Sequence, residues 1–443
     1  MHRQLSAANH HLGREGSSGV AAEPILTDAT DLRAGVESAP IRVPNVSDVL
    51  IARQPIFDSH NHLAGYEMLY RPGNGDGSTA TGHSLIAGLL TVGLGQLVGD
   101  AQAFIRFSHA LLLDHAFDLL DPTKATIELL DPFALDADAV AALAALRARG
   151  FTLVVGDFAA HADHRALLQL AQVVRVDLTR HANGELEQLS RHLKATHVQL
   201  LADQVADGET ADLCHALGFA LFQGQFFSRP QIVKRRDLPA GMPGIARLMN
   251  VVLDPRATDR EIEDSFRADP GLSLKLLRIV NSAAIGGQGI ESIQHAIRLI
   301  GRTPLHQWLS VLFADSVPQR TGVERELVMG ALARGRLCEL LAINSGRGRS
   351  APPVFLTGML SSLDAILGIS MRELLQQVHV ALEVESALLH QEGPYTPYLN
   401  LAILYGEGRW DEALILASEL GVEEDLPIWY AQAGGWARNV LAQ

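Results

Sequence analysis

The chain is short of cysteine, of aromatic residues, of long apolar runs and of positive charge, and each shortage removes a class of protein. Two cysteines in 443 residues, Cys214 and Cys338, stand far apart with no metal-type spacing around either, which excludes a disulfide framework and a zinc module. No apolar run approaches the ~18 residues needed to span a bilayer, and the opening MHRQLSAANHHLGREGSSG lacks the apolar core of a signal peptide. A cytoplasmic protein without membrane attachment is expected. The formal net charge is -14, and the deficit of cations is general: residues 46–236 carry 15 Lys plus Arg against 21 Asp plus Glu, and residues 237–443 carry 17 against 24. Neither half is suited to nucleic acid. Lys234, Arg235 and Arg236, beside Arg229, are a local exception, read as a solvated linker at a domain junction.

What is present is ample apolar content, 47% of the residues, in a chain too long for one hydrophobic core. Residues 1–45 mix Gly, Ser, Ala, His and charges without periodicity and are expected to form a disordered arm, in which His10 and His11 carry no assigned role. From residue 46 to 233, short β-branched runs alternate with amphipathic helical segments: VLIARQPIF, LAGYEMLYR, AFIRFS, ATIELL, TLVVGDF, VVRVDL, VQLLAD and ALFQG. DSHNH between the first two runs is turn chemistry and predicts a hairpin. The pattern predicts a TIM-like (β/α) barrel whose first strand pair is antiparallel.

From residue 234 to 443 the β signal disappears and an all-α domain with a C-terminal helical extension is expected. Thr258 with Glu261, and Ser370 with Glu373, read as capping boxes. Asp269-Pro270 should end one helix and start another. LNLAILYGEGRWDEALILASELG reads as a single helix pair rather than a repeat array, because no second copy follows.

Barrel enzymes keep their chemistry at the C-terminal ends of their strands. Those ends carry Glu67 and Arg71, Arg106, Glu128, Asp157, Arg175 with Asp177, Asp203, and Gln223. Two readings follow. Converging carboxylates need cations, and a divalent metal pair acting on a phosphodiester would supply them. Alternatively the acids cap helices or pair with Arg106 and Arg175.

The ordered set GYEMLYR, FIRFS, IELLD, GDF, VRVD, LLADQVADGET and LGFALFQGQFFSRP resembles the EAL domain family, barrel phosphodiesterases that linearise the bacterial messenger cyclic di-GMP with two magnesium or manganese ions. The resemblance implies that Glu67 and Glu128 fall on metal carboxylates, Arg71 on a phosphate-binding arginine, Asp157 on the second of two paired aspartates, Asp203 on a glutamate, and Gln223 on a late glutamine. It also marks three losses. Arg106 replaces a metal-binding asparagine and cannot ligate a cation; Gly156 replaces the first aspartate; Arg175 replaces a lysine and cannot act as a general base. The expectation is a remnant site with no catalytic residue and no bound cofactor. Residual activity through Glu67, Glu128 and Asp157 with Mg or Mn is the alternative, and binding of cyclic di-GMP without hydrolysis through Arg71 and Gln223 is a third reading.

LPAGMPGIARLM, ADPGLSLKLLRIVNSAAIG and IESIQHAIRLIGRTPLHQWL resemble the HDOD domain, a helical relative of metal-dependent HD hydrolases. Ser361-Ser362 stands where those hydrolases keep a His-Asp doublet, and hydroxyls are poor ligands for a catalytic divalent metal. The chain is therefore expected to be a degenerate EAL barrel fused to an HDOD domain, a non-catalytic signalling protein acting through an unidentified protein partner of the helical domain. Whether it forms a homodimer is left open.

Overall fold

The structure, a computed structural model, describes residues 49–72, 86, 88–91, 93–129, 136–156, 165–194, 196–228, 241–280, 292–317, 321–378 and 380–442. The expected arm, Asp157, the basic run at 234–236 and the Asn281-Ser282 segment lie outside them.

Eight strands close a barrel in sequence order: β1 (Val49–Asp58), β2 (Leu63–Pro72), β3 (Gln102–Phe107), β4 (Ala125–Leu129), β5 (Thr152–Val155), β6 (Val173–Asp177), β7 (Gln199–Asp203) and β8 (Leu221–Phe222). β1 runs antiparallel to both β2 and β8, and the other pairings are parallel. Asp58 accepts from the backbone N–H groups of His60 and His62 at 2.8 Å each, which fixes the β1–β2 turn. Around the barrel lie α1 (Leu94–Val98), α2 (His109–Leu113), α3 (Ala137–Ala148), α4 (Arg165–Leu170), α5 (Asn183–Lys194), α6 (Gly208–Ala216) and α7 (Gln225–Ser228).

Side chains two apart on a strand share a face, so the interior is layered. Phe104, Val154, Val173 and Leu201, with Ile56 of β1, form a buried apolar floor. Two residues further on, the same strands present Arg106, Gly156, Arg175 and Asp203.

The second half is all helix: α8 (Met242–Leu253), α9 (Asp259–Arg267), α10 (Pro270–Val280), α11 (Ile293–Ile300), α12 (Arg302–Ser316), α13 (Gly322–Ala342), α14 (Ala351–Leu360), α15 (Leu363–Leu367), α16 (Met371–Val378), α17 (Leu382–His390), α18 (Thr396–Gly406), α19 (Trp410–Leu420) and α20 (Leu426–Leu441). Both expected capping boxes are present. Asp269 accepts from Gly271 and Leu272 N–H at 3.0 Å each and so starts α10 just before Pro270 stops α9 from continuing. The predicted helix pair is α18 and α19.

The described residues from Val49 onward form one compact unit, and the reason lies in the hairpin. A hairpin has no crossover helix to cover its outer face, so β1 and β2 need cover from elsewhere. Ile51, Tyr66 and Met68 pack in one apolar cluster with Ala431, Ala437 and Val440 of α20. Within that contact Arg53 pairs with Glu326 of α13 at 3.6 Å and lies over the Tyr66 ring, whose hydroxyl donates to Glu326 at 2.7 Å.

β1 also has an open edge, because β8 reaches only Phe57 and Asp58. An unpaired strand edge leaves backbone donors without acceptors. Here Ile51 N–H donates to the Tyr405 hydroxyl of α18 at 3.3 Å, Arg53 N–H donates to the Tyr430 hydroxyl of α20 at 3.4 Å, and residue 55 is a proline with no donor. The helical half thus completes the barrel.

Candidate functional site

The charged residues at the strand ends converge on one guanidinium. Arg175 of β6 is buried to 3%, with Glu67, Glu128, Asp203 and Gln223 buried around it. Its Nη2 donates to Glu128 Oε2 at 3.0 Å, and its Nε lies 2.7 Å from Oε1 of the same carboxylate as an ion pair. Its Nη1 donates to Glu67 at 3.2 Å, Asp203 at 3.0 Å and Gln223 Oε1 at 3.1 Å. The Gln223 amide in turn donates to Glu67 at 2.5 Å and to Gln54 of β1 at 3.1 Å. Arg106, about one-third exposed at the rim, adds a second cation with Nη2 2.5 Å from Glu67 Oε1.

Local backbone chemistry holds these groups in place. Gly224, at φ +151°, follows Gln223 because a Cβ there would meet the Val205 backbone nitrogen at 2.3 Å. Val205 N–H donates to the Gln223 carbonyl at 3.0 Å, which locks the β8 exit over β7. Asp203 Oδ1 accepts from Gln204 N–H at 2.8 Å, leaving Oδ2 for Arg175.

Desolvation pulls the Arg175 pKa down, but Glu128, Glu67 and Asp203 outweigh it and hold the guanidinium above its ordinary value. Burial pushes Glu128 up to about 7; Arg175 and Arg106 oppose the rise, and Glu67 and Asp203 add to it. With Glu128 ionised, three carboxylates face two guanidinium groups, so protonating Glu128 balances the charge.

Of the two inward arginines, Arg175 takes the centre and Arg106 caps the rim. The reason is reach: from the middle of β6 a long side chain can lie across the interior, whereas Arg106 is drawn to Glu67 on the neighbouring strand. Gly156 is buried and offers only its backbone, whose N–H donates to Leu129 O at 3.1 Å. Arg71 pairs instead with Asp411 of α19 at 3.0 Å. Sequence reasoning missed Gln54 and Asp411. Gln54 was within reach, since it sits opposite Glu67 in the hairpin register and shares a face with Ile56; Asp411, 340 residues from Arg71, gave no signal.

The divalent metal pair of the EAL family does not fit these residues. A buried cation already pairs with Glu67, Glu128 and Asp203, and among the described residues no group of three His, Cys, Asp or Glu is placed to hold a metal ion.

In the helical half, Ser361 and Ser362 join α14 to α15. Arg334 of α13 donates from Nη1 to Ser361 Oγ at 2.9 Å and to Ser362 Oγ at 3.3 Å. His306 of α12 is buried edge-on to Phe355, and burial pushes its pKa down to about 3, so it is neutral at physiological pH. Among the described residues no helix is long and apolar enough to cross a membrane.

Residues 238–391 match the HDOD domain family. The molecule is a closed eight-stranded barrel followed by a helical region that carries the HDOD match. Two relatives share this span: YuxH, an uncharacterized protein of Bacillus subtilis strain 168, is 28% identical over 406 residues, covering 89% of this chain and 99% of its own. The cyclic di-GMP phosphodiesterase CdgJ of Vibrio cholerae is 28% identical over 407 residues, covering 88% of this chain and 92% of its own. Among solved structures, Klebsiella pneumoniae BlrP1 with manganese and cyclic di-GMP matches at 20% identity and a TM-score of 0.35, over 40% of this chain and 54% of that one.

Proposed function

We propose that this protein is a non-catalytic regulator in cyclic di-GMP signalling, working through a protein partner of its helical half and not through hydrolysis. The observation that carries the reading is the buried Arg175 guanidinium, bonded to Glu67, Glu128, Asp203 and Gln223. Catalysis of phosphodiester hydrolysis by carboxylates needs a metal to activate water and stabilise charge, and a guanidinium in that place offers donors only. It cannot take up a proton either, so no general base replaces the metal-bound hydroxide. In the helical half, Ser361 and Ser362 hold an arginine where ligands would be needed, which leaves surface contact as its working mode.

A second reading, hydrolysis of cyclic di-GMP, has the relative CdgJ in its favour. One experiment separates them. The full chain is incubated with cyclic di-GMP and Mn²⁺, and the linear dinucleotide is quantified against a protein-free incubation as background. The regulator reading expects no product above that background; multiple turnovers per protein molecule would overturn it.

A further inference from the structure

Most guanidinium groups that this fold draws inward are paired: Arg53 with Glu326, Arg106 with Glu67, Arg175 with three carboxylates, Arg336 with Glu339. Arg334 is not paired in this way, and neither is Arg438, whose Nη1 donates to the Leu97 carbonyl. Among the described residues no carboxylate forms an ion pair with Arg334, and Glu407 and Asp364 act on it only from farther away. It is half-buried on α13, and desolvation holds its pKa below the ordinary value.

The donor inventory is lopsided. A guanidinium has five N–H donors. Two are used, by Nη1 to Ser361 and Ser362, and the Nε and Nη2 edge has no acceptor among the described residues. Ser361 is fully committed, because its hydroxyl donates to the Gly358 carbonyl at 2.7 Å while accepting from Arg334. Ser362 accepts from Arg334, and its own proton has no acceptor among the described residues. Three guanidinium donors, two of them forming the planar Nε and Nη2 fork, and one hydroxyl proton are therefore left over at the same place.

That place is rigid. α13 and α14 touch through glycine: a Cβ on Gly335 would meet the Phe355 carbonyl at 2.9 Å, and one on Gly358 would meet the Arg334 carbonyl at 2.9 Å. Arg334 and Ser361 sit one and three residues from those contacts, so their spacing is set by backbone packing. A preformed fork spends little entropy on binding.

We propose that Arg334 and Ser362, backed by Ser361, form a binding site for a phosphate-type oxyanion at the junction of α13, α14 and α15. The planar Nε and Nη2 edge matches two oxygens of one anion. A carboxylate has no third oxygen for the Ser362 hydroxyl; a tetrahedral phosphate does. The ligand is free phosphate or the phosphate of a small ester, since both present the same oxygens.

The test is calorimetric titration of the full chain with inorganic phosphate, at ionic strength matched with chloride, followed by the same titration with glycerol 3-phosphate. One saturable site is expected, and the tighter of the two ligands names the source. Arg334→Gln should weaken it at least ~10-fold, since it removes a charge-assisted pair of bonds. Ser362→Ala should weaken it about 3- to 10-fold, the scale of one neutral hydrogen bond. Arg334→Lys keeps the charge and loses the fork, so it should fall between wild type and Arg334→Gln and serves if that variant does not fold. Lys124→Ala, an exposed cation on the barrel surface paired with Asp100, should bind like wild type. Absence of saturable binding, or binding unchanged in both Ser362→Ala and an Arg334 variant, overturns the proposal.

Discussion

Arg175 and Arg334 are two answers to one problem, a guanidinium taken out of water. In the barrel, the Nε and Nη2 edge of Arg175 is filled by Glu128, and Nη1 by Glu67, Asp203 and Gln223. In the helical half the same edge of Arg334 has no acceptor among the described residues, and Nη1 donates to two hydroxyl oxygens. The first arrangement is electrostatically closed: net attraction outweighs desolvation, and the pKa rises. The second is open, and the pKa falls. A buried cation with its own carboxylates is a structural part; one without them is available to a ligand.

The two should therefore respond in opposite ways to the same substitution. Arg175→Gln leaves Glu67, Glu128 and Asp203 facing one another with only Arg106 at the rim, and breaking a buried network from one side costs about 3–5 kcal/mol. Arg334→Gln removes a desolvated charge and keeps an amide for the two serines, so its cost should stay within about 1 kcal/mol, the scale of one neutral hydrogen bond. Denaturant melts of both variants check this. Equal losses would erase the distinction between a closed and an open site.

The seam between the halves gives the next largest effect. Tyr405→Phe and Tyr430→Phe each remove the acceptor of a β1 backbone N–H, at about 0.5–1.5 kcal/mol per bond. The double variant also reopens a strand edge, so at raised protein concentration it should self-associate more than wild type in light scattering. If the double variant melts and scatters like wild type, the helices do not guard that edge.

Charge balance inside the barrel predicts a pH effect. Glu128 binds its proton more tightly when folded, up to about 7, than in an unfolded chain. That preference stabilises the fold fully below the unfolded carboxylate pKa, and the contribution is lost as pH rises through about 7. Glu128→Gln, which cannot titrate, should lose less stability than wild type between pH 5 and pH 8. Melting midpoints across that range measure the difference in slope, and parallel slopes would refute it.

Much of the fold was legible because it rests on local chemistry. The strand ends at Glu67, Glu128, Asp203 and Gln223, the DSHNH turn and both capping boxes follow from alternation, turn residues and cap spacing. The pairing of strand-end acids with Arg106 and Arg175, one of the two readings open from sequence, is the arrangement found. The occupant of the centre was not legible, because two arginines on different strands compete for it and length along the interior decides. Arg334 gave no sign at all: in sequence it is one more polar position on a long helix, and its missing counter-ion appears only when α13 and α14 are brought together.

The smallest effect tests a third guanidinium, paired with a carboxylate as Arg175 is but with more than a third of its side chain exposed. Arg71 and Asp411 tie the exit of β2 to α19, but Asp411 is 87% exposed, and such pairs gain little over water while ordering two side chains. Beneath the ion pair lies a packing contact, since a Cβ on Gly408, at φ +72°, would meet Leu69 at 3.0 Å. Asp411→Ala should accordingly leave the melting midpoint unchanged, whereas Gly408→Ala, which is strained at that φ and crowds Leu69, should lower it. If Asp411→Ala proved the more damaging of the two, electrostatics and not packing would hold the helix pair to the barrel, and the ranking of the three arginines by burial would fail.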